Sequence, residues 1–331
     1  MWVLILSLLL SFIASLILTK SMIPFFKRNN IIALDLHKKD KPKLANSVGI
    51  PASLSLMIGL MFFIAVQTFI FETTTEMVYL FASVLTILLI TIIGFFDDLN
   101  SSDVVLGKKK IRRGLKKWQK PLFTLPAAIP LMVVSAGVTT MGLPLIGNVN
   151  FGILYPLILI PVGVVCSANA INLLGGFNGS EAGTGVVYCS FLGLYAMIHG
   201  EIVSSAIFFS TVGALIGVLK FNWFPAKILS GDSLTYCLGA VVAAGVIVGN
   251  MERAGIIIMI PFVIEFLLKL RSKFSAACLG KLRKDGKLDA PYGREIYSWT
   301  HIIMKLGKLT EKQVTIVLIA IQIIFGLLLF L

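Results

Sequence analysis

The sequence predicts an all-α integral membrane protein, a bundle of about ten transmembrane helices with both termini outside and five cytoplasmic loops. Composition, apolar runs of membrane length and the distribution of Lys and Arg predict this fold. Of 331 residues, 57% are hydrophobic and 14% are charged, and the mean hydropathy is +0.94. Soluble domains are about 45–50% apolar and about 25% charged, and a soluble chain this apolar would aggregate. We therefore expect one polytopic membrane domain over residues 1–331.

Apolar runs define the predicted helices. A helix needs roughly 20 apolar residues to cross a hydrocarbon core of about 30 Å. Runs that approach this length lie at about 2–19, 49–71, 77–95, 121–137, 152–168, 185–199, 203–219, 234–249, 254–269 and 314–331. Very short separations, at residues 200–202 and 250–253, predict two tight helical hairpins.

Basic residues predict the orientation, because Lys and Arg collect in cytoplasmic loops. Of the 29 Lys and Arg residues, all but Arg253 lie in alternate loops of the ten-helix arrangement. The net charge of +13 is then a signal of topology and of contact with anionic lipid. The basic residues border membrane spans and form no soluble basic domain, so no nucleic-acid partner is expected. Four Cys without a C-x-x-C spacing and three scattered His predict neither a disulfide framework nor a zinc site.

Two adjacent carboxylates, Asp97 and Asp98, follow the third apolar run. The C-terminal end of a helix disfavours an acid by about 0.3–1 kcal/mol, and neighbouring carboxylates repel each other. A cation should therefore offset them, either Mg²⁺ or the basic run at 108–120. From these residues alone, a solvated pair beside a basic loop is the alternative.

An amide- and glycine-rich segment follows the fifth run. Asn169 and Asn172 are three residues apart and would share one face of a helix. The glycines between 175 and 185 allow a ligand to approach the main chain closely. This segment also contains Asn178 and Glu181 but no Lys or Arg, which is unusual on a basic side of the protein. The alternative is a flexible turn with an Asn helix cap.

Three further polar residues have two interpretations each. Asp232 precedes the eighth run, where it is either a ligand or, like Ser233, a helix N-cap. Lys120 begins the fourth run, where it is either a site residue or a membrane-surface anchor. Glu265 lies within the ninth run, and an intramembrane carboxylate is a functional candidate by default. Lys269, four residues on, gives it a structural alternative as an i,i+4 ion pair.

Together these segments resemble the polyprenyl-phosphate N-acetylhexosamine-1-phosphate transferase family, glycosyltransferase family 4. Asp97-Asp98 resembles the family's paired aspartates, and Gly231-Asp232 matches its Gly-Asp ahead of the eighth span. The loop Asp40–Gly49, which includes Lys41, resembles its Lys/Pro/Gly loop. The amide segment is similar to that of the archaeal and eukaryotic dolichyl-phosphate N-acetylglucosamine phosphotransferases, and the length of the chain favours an archaeal member.

The resemblance implies a phosphoryl transfer in which polyprenyl phosphate attacks the β-phosphorus of UDP-N-acetylglucosamine and UMP leaves. It implies Mg²⁺ as cofactor, with Mn²⁺ as an alternative ion, held by Asn172 and Asp232. Asp97 and Asp98 would organise the acceptor site as the catalytic pair, one of them as a base, and Lys120 would hold the acceptor phosphate.

The resemblance also implies further substrate-binding residues. In the amide segment these are Asn169, Asn178 and Glu181, the last two toward the nucleotide. The family carries a basic, His-containing motif in its last cytoplasmic loop, and this chain departs from that motif. Its substitutes there are open alternatives: Arg283, Arg294 and His301.

The expected partners are a UDP-sugar donor, a polyprenyl or dolichyl phosphate acceptor, the bilayer, and a second copy of the chain in a homodimer. We expect a multi-pass protein of the cell membrane if it is archaeal, or of the endoplasmic reticulum membrane if it is eukaryotic, with its active site facing the cytoplasm. The reaction would be the first membrane step of lipid-linked glycan assembly for protein glycosylation. The competing class is a transporter or lipid flippase. It is disfavoured because transporter sites lie near the midplane, often within inverted repeats, and here the polar residues sit at the cytoplasmic ends of the spans.

Overall fold

The structure is a computed structural model that describes residues 1–73, 76–100, 104–106, 109–111, 114–143 and 147–331. Within these residues the fold is a bundle of α-helices, as predicted. The helices are α1 (Trp2–Arg28), α2 (Gly49–Phe69), α3 (Met77–Asn100), α4 (Gln119–Thr124), α5 (Ile129–Val133), α6 (Ile160–Leu173), α7 (Ser180–Ile198), α8 (Ile202–Asn222), α9 (Gly231–Val248), α10 (Glu252–Leu270), α11 (Trp299–Leu306) and α12 (Glu311–Leu327). Short 3₁₀ segments lie at Leu125–Ala128 and Leu328–Phe330, and a π-turn lies at Tyr155–Leu159.

Four short antiparallel ribbons, which the sequence did not predict, connect some of the helices. They pair β1 (Ile32–Leu34) with β2 (Lys43–Ala45), β3 (Val104–Leu106) with β4 (Lys109–Ile111), β5 (Thr140–Leu143) with β6 (Gly147–Asn150), and β7 (Lys281–Leu282) with β8 (Leu288–Asp289). Strands of two to four residues carry almost no periodic signal, because period-2 alternation needs a longer run to be recognised.

Eight helices of the described chain are long and apolar enough to cross a membrane: α1, α2, α3, α6 with its preceding π-turn, α7, α8, α9, and α12 with its following 3₁₀ segment. They coincide with eight of the ten predicted spans, so the prediction of a multi-pass membrane protein is confirmed. Both predicted tight hairpins are also present, between α7 and α8 and between α9 and α10.

The remaining two predicted spans are helical but differ from the other eight. The run at 121–137 is divided into α4, a 3₁₀ segment and α5, because Pro126 and Pro130 each lie at the start of a new segment. Proline lacks the N–H that a continuous helix needs. The run at 254–269 forms α10, whose charged residues are Glu252, Arg253, Glu265 and Lys269.

Helix α9 lies at the centre of the bundle, where every residue from Ser233 to Val248 is buried. Small residues allow the neighbouring helices to approach closely. A Cβ added to Gly213 of α8 would lie 2.1 Å from the carbonyl oxygen of Leu8 in α1. On the same contact, Ser15 donates a 2.7 Å hydrogen bond to the Ala214 carbonyl. This packing fixes the frame that carries the polar loops.

The polar loops meet at one end of this frame. Main-chain hydrogen bonds join the loop after α1 to the loop between α8 and α9. The Leu229 N–H donates to the Ala45 carbonyl (2.8 Å), and the Val48 N–H donates to the Leu229 carbonyl (3.3 Å). The start of α9 is thereby held against the loop that follows α1.

Candidate active site

The site centres on a lysine that bridges two carboxylates, which we call the acid centre (Asp97, Lys120 and Asp232). Asp97 lies near the C-terminal end of α3, Lys120 in the first turn of α4, and Asp232 in the first turn of α9. The Lys120 ammonium lies 2.8 Å from Asp97 Oδ2 and also contacts Asp232 Oδ2. Of the two cations that the sequence offered, the basic run supplies Lys120, which contacts Asp97 of the pair. Of the rest of the basic run at 108–120, residues 108, 112 and 113 lie outside the described residues.

The charges of the acid centre hold one another in place. Burial alone would lower the pKa of Lys120. The neighbouring carboxylates raise this pKa above its ordinary value, and Asp232 has a larger effect than Asp97. The Leu115 N–H also donates a 2.8 Å hydrogen bond to Asp97 Oδ1. Lys120 is therefore a fixed positive charge between two acids.

Asp98 differs from its neighbour because its carboxylate caps another helix. It accepts hydrogen bonds from the N–H groups of Asp232 (2.7 Å) and Ser233 (3.1 Å), and from the Ser47 hydroxyl (2.8 Å). These N–H groups belong to the first turn of α9, where the helix dipole favours an anion. The sequence offered Asp232 or Ser233 as the N-cap of this helix. That interpretation is wrong, since the capping carboxylate comes from α3.

Gly231 makes this capping contact possible. Its φ is +66°, and a Cβ there would lie 2.4 Å from Asp98 Oδ2. Only glycine fits both this backbone angle and this approach. The pair Gly231-Asp232 thus places the Asp232 side chain beside Lys120 and leaves space for the Asp98 carboxylate against Gly231.

A cavity of about 290 Å³ opens beside the acid centre. All five loops that the basic-residue pattern assigned to the cytoplasmic side contribute to its wall. The wall includes residues 32–36 and 46, Asp98, residues 172 and 175–178, residues 229–232, and Leu279. The predicted residues Asn172, Asn178, Glu181 and Asp232 all line it.

The two asparagines of α6 have different contacts. The Asn169 amide donates to Thr124 Oγ1 (3.1 Å) in α4 and to the Val165 carbonyl (2.8 Å), so it ties α6 to the helix of Lys120. Asn172, one turn on, lines the cavity. The predicted pair lies on one helix, and Asn172 is the member that borders the cavity.

Glu181 is buried and shapes the glycine turn. It accepts hydrogen bonds from the Gly176 N–H (2.8 Å) and from the Ser180 hydroxyl (2.6 Å). A Cβ added to Gly175 would lie 2.6 Å from its carboxylate. The sequence placed this residue in a loop, but α7 begins at Ser180 and includes it, because the glycines that suggested a loop fit a closely packed helix equally well.

The predicted basic substrate contacts lie outside the cavity wall. Lys41 and Arg294 are exposed, and Arg283 pairs with Asp285 (3.3 Å) and Asp289 (3.2 Å). His301 is fully buried, and Nε2 donates to the Ala277 carbonyl (3.0 Å) while Nδ1 accepts from the Tyr297 N–H (3.1 Å). These four residues remain predictions for substrate contact, and the structure does not bring them to the acid centre.

Glu265 organises the last predicted cytoplasmic loop. Its carboxylate accepts from the Trp299 N–H (2.8 Å) and the Ser298 hydroxyl (3.0 Å) at the start of α11. It lies 3.8 Å from Lys269, as the structural interpretation predicted. Burial of this carboxylate is thus compensated by hydrogen bonds and an ion pair.

The donor atoms at the site suit a hard cation. Among the residues that the structure describes, no group of three or more His, Cys, Asp or Glu side chains is arranged to hold a metal ion. Mg²⁺ usually takes only one or two protein carboxylates and completes its shell with water and substrate phosphates. Asp232 and Asn172, which border one cavity, supply oxygen atoms of this kind.

Several residues of the site were not singled out from the sequence. Five polar residues that are buried or half-buried belong to the cavity wall or contact it or one another: Ser47, Asp35, His37, Lys38 and Glu311. His37, Lys38 and Asp35 stand in an ordinary basic loop, and Glu311 begins the last helix. A polar residue at a helix start is usually read as a cap, so no local pattern marks it.

The fold and the site define a polytopic membrane protein with a lysine-bridged acidic centre beside a solvent-facing cavity. Residues 78–250 match the sequence profile of glycosyl transferase family 4. This segment contains Asp97, Lys120, Asn172 and Asp232. The chain belongs to glycosyl transferase family 4.

Similar proteins extend this match over nearly the whole chain. A protein of Saccharolobus solfataricus, named provisionally as a UDP-N-acetylglucosamine–dolichyl-phosphate N-acetylglucosaminephosphotransferase, is 34% identical over 97% of this chain and 94% of its own. A Dictyostelium discoideum protein named with the same activity is 26% identical over 97% of this chain and 86% of its own. A phospho-N-acetylmuramoyl-pentapeptide-transferase of Halalkalibacterium halodurans is 31% identical over 84% of this chain and 85% of its own.

Proposed function

We propose that this protein transfers N-acetylglucosamine-1-phosphate from UDP-N-acetylglucosamine to a polyprenyl (dolichyl) phosphate. A phosphate oxygen of the acceptor forms a bond to the β-phosphorus of the donor, the bond from that phosphorus to the bridging oxygen breaks, and UMP leaves with that oxygen. The acid centre beside the cavity is the observation that carries this proposal. The names of the similar proteins support the choice of donor and acceptor.

The acid centre supplies the positioning that phosphoryl transfer requires, since this chemistry depends mainly on alignment and charge neutralisation. Lys120 would bind the acceptor phosphate as a fixed cation at the entrance of α4. Asp97 would orient Lys120, and Asp232 would face the donor diphosphate. A phosphomonoester with a second pKa of about 6 is largely dianionic at neutral pH, so the acceptor needs no strong base. We assign Asp98 a positioning role through α9.

Mg²⁺, or Mn²⁺ in its place, would be held by Asp232 and Asn172 together with the donor phosphates. When bound, the ion neutralises charge on the diphosphate. Lys120 contacts Asp232 directly, so Asp232 would connect the acceptor-phosphate lysine to the proposed metal site. The rest of the cavity, with the amide of Asn178, would take the nucleotide.

The site would face the cytoplasm, where the soluble donor is available, with the acceptor held in lipid. This orientation is supported by the convergence of all five loops on one cavity and by the basic-residue asymmetry of those loops. The similarity to archaeal proteins supports a place in the cell membrane of an archaeon. The proposed reaction would be the first membrane step of lipid-linked glycan assembly. Self-association as a homodimer remains a prediction.

The test is UMP release by detergent-purified protein given polyprenyl phosphate, Mg²⁺ and UDP-N-acetylglucosamine, with and without EDTA. We expect release that requires both the lipid and the metal, and a panel of other UDP-sugars that release less. Asp232→Asn and Lys120→Met should lower kcat about 100-fold or more, the scale seen when one electrostatic contact to a transition state is removed. If folded protein releases no UMP with any donor or lipid, the proposed transferase activity is wrong.

Binding of the metal can be followed separately from turnover. With donor present, added Mg²⁺ should raise the Tm of the wild-type protein, and this rise should be smaller in Asp232→Asn. An equal rise in both proteins would remove Asp232 from the metal site.

A further inference from the structure

A buried network of charged and polar side chains forms part of the cavity wall and extends behind it. We call it the loop clamp (Asp35, His37, Lys38, Asn178 and Glu311). Asp35, His37, Asn178 and Glu311 are each less than 5% exposed. They come from three parts of the chain: the loop after α1, the amide segment before α7, and the first residue of α12.

Glu311 is the hub of the clamp. Its Oε1 accepts the main-chain N–H of Asn178 at 2.9 Å and lies 3.5 Å from His37 Nδ1. Its Oε2 contacts the Lys38 ammonium. Thr315, one turn along α12, donates to the Asn178 carbonyl at 3.2 Å. The last helix therefore fixes both main-chain polar groups of Asn178.

Lys38 links the two carboxylates of the clamp. Its ammonium contacts Glu311 and lies 3.4 Å from Asp35 Oδ2, and it sits 4.0 Å from the centre of the Phe224 ring. Asp35 in turn accepts a 3.1 Å hydrogen bond from the Asn178 amide. Both Asp35 and Asn178 line the cavity, whereas Lys38 and Glu311 do not.

His37 extends the clamp to the last loop. Its Nε2 accepts the Gly280 N–H at 3.1 Å, so its proton lies on Nδ1, toward Glu311. Its ring lies 4.5 Å from the ring of Phe177. Phe177 and Leu279, the neighbour of Gly280, both line the cavity.

We propose that Glu311, Lys38 and His37 are positioning residues for the nucleotide-sugar donor. They touch no reacting atom, and they act by holding Asp35, Phe177 and Asn178 of the cavity wall. The network is buried, pairs its charges and satisfies its hydrogen bonds, features that make such groups specify one geometry. This inference rests on the proposed function, since it takes the cavity as the donor site.

The test variant is Glu311→Gln, which keeps the shape and one acceptor oxygen but removes the charge that pairs with Lys38. We expect KM for UDP-N-acetylglucosamine to rise about tenfold, with kcat within about twofold of wild type and KM for the acceptor lipid unchanged. Lys38→Met should give the same pattern. The double variant should add little to either, because residues of one network are not additive.

A matched control is Glu252→Gln. Glu252 is likewise the first residue of a helix, α10, and accepts a side-chain hydrogen bond, from Tyr155 at 2.6 Å, but it lies at the other end of the bundle. It should leave both KM values unchanged. A fall in Tm and kcat without a change in donor KM in Glu311→Gln would show a purely structural network and overturn the inference, as would wild-type kinetics. If Glu311→Gln does not fold, Lys38→Met, at a position whose side chain is 20% exposed, decides by the same criteria.

Donor affinity should also be measured without acceptor, as the rise in Tm with UDP-N-acetylglucosamine concentration. Wild-type protein that binds the donor but releases no UMP would contradict the proposed function and still allow the clamp variants to be compared. Active wild type with unchanged donor affinity in both clamp variants would contradict the clamp alone.

Discussion

Adjacent residues in this chain have different roles because they face different helices. Asp97 faces Lys120 of α4. Asp98 faces the first turn of α9 and accepts two hydrogen bonds from its N–H groups and a third from the Ser47 hydroxyl. The sequence predicted one catalytic pair from Asp97-Asp98. A pair of neighbouring acids has no local feature that separates its members, since the partners of Asp98 lie 51 and more than 130 positions away in the chain.

The first prediction concerns Asp98→Asn. Asparagine presents one acceptor oxygen where the carboxylate presents two, so at least one N–H of α9 loses its partner. Hydrogen bonds to a charged group are worth about 1.5–3 kcal/mol, and we expect Asp98→Asn to lower both Tm and kcat. Differential scanning fluorimetry and UMP release measure the two effects.

Ser47→Ala is the control for this prediction, because it removes one of the three hydrogen bonds to Asp98 and leaves the carboxylate charge and both α9 N–H bonds in place. It should lower Tm only slightly. An Asp98→Asn protein with wild-type Tm and no activity would favour the direct catalytic role that the sequence suggested.

At the scale of elements, the start of α9 is the part on which the site depends most. Three segments converge there: the end of α3 through Asp98, the first loop through Leu229 and Ala45, and Lys120 through Asp232. Long apolar runs correctly predicted the eight helices that are long enough to cross a membrane. The breaks in the fourth span were not predicted, because its prolines stand in a run whose overall hydropathy is that of a single helix.

The second prediction concerns Gly231→Ala. The added Cβ would overlap the Asp98 carboxylate at 2.4 Å in a backbone with φ of +66°, so α9 must shift and carry Asp232 with it. We expect a loss of Tm and a fall in kcat of at least about tenfold, as a 1 Å displacement of a catalytic group can cost 100-fold.

Gly286→Ala is the matched control for Gly231→Ala. Gly286 also has a positive φ, +78°, but a Cβ there meets nothing within 4 Å. It should cost only the backbone strain of about 1–2 kcal/mol and leave kcat unchanged. Equal losses of activity in both variants would show that close contact with Asp98 is not what matters at Gly231.

The third prediction concerns pH and the last loop. Burial lowers the pKa of His301 to about 4, with Lys269 and Lys305 acting in the same direction against the hydrogen bond to the Ala277 carbonyl. In the unfolded chain His301 therefore takes up a proton near pH 6.5, whereas in the folded chain it stays neutral down to about pH 4. The stability that neutral His301 contributes is complete above about pH 6.5 and is lost as pH falls toward 4.

This loss amounts to about 3 kcal/mol, at about 1.4 kcal/mol for each unit of pKa difference. Thermal unfolding from pH 7.5 to 4.5 measures it, and His301→Gln should flatten the fall of Tm with pH. The exposed His199, changed to Gln, should not alter the profile. A His301→Gln profile as steep as that of wild type would assign the acid instability to other groups.

For the whole molecule, the sequence predicted the kind of fold and much of the site, but not the connections between distant loops. The acid centre and Asn172 stood out because carboxylates and amides are rare in so apolar a chain. The loop clamp did not, since Glu311 and Asn178 lie 133 positions apart and each looks ordinary in its own surroundings. Arg283, Arg294 and His301 were predicted as substrate contacts by resemblance, although the last loop lacks the family's basic, His-containing motif. None of the three lines the cavity.

The fourth prediction concerns topology. If the basic loops face the cytoplasm, a cysteine at exposed Asp285 should react with a membrane-impermeant maleimide only after cells are permeabilised. A cysteine at exposed Glu72, in a loop without Lys or Arg, should react in intact cells. The parent for both should carry Cys166→Ser, because Cys166 is the exposed native cysteine and the other three are buried. The opposite labelling pattern would show that the basic loops face the outside of the cell.

The position of Glu311 at the start of the last helix also bears on how the protein matures during synthesis. The segment that matches the family, residues 78–250, includes the acid centre, and a ribosome finishes it well before Glu311 emerges. A nascent chain that has not yet inserted α12 would hold the acid centre but lack Glu311, the hub of the loop clamp. Insertion of α12 would then be the step that gives the newly made enzyme its full affinity for the donor.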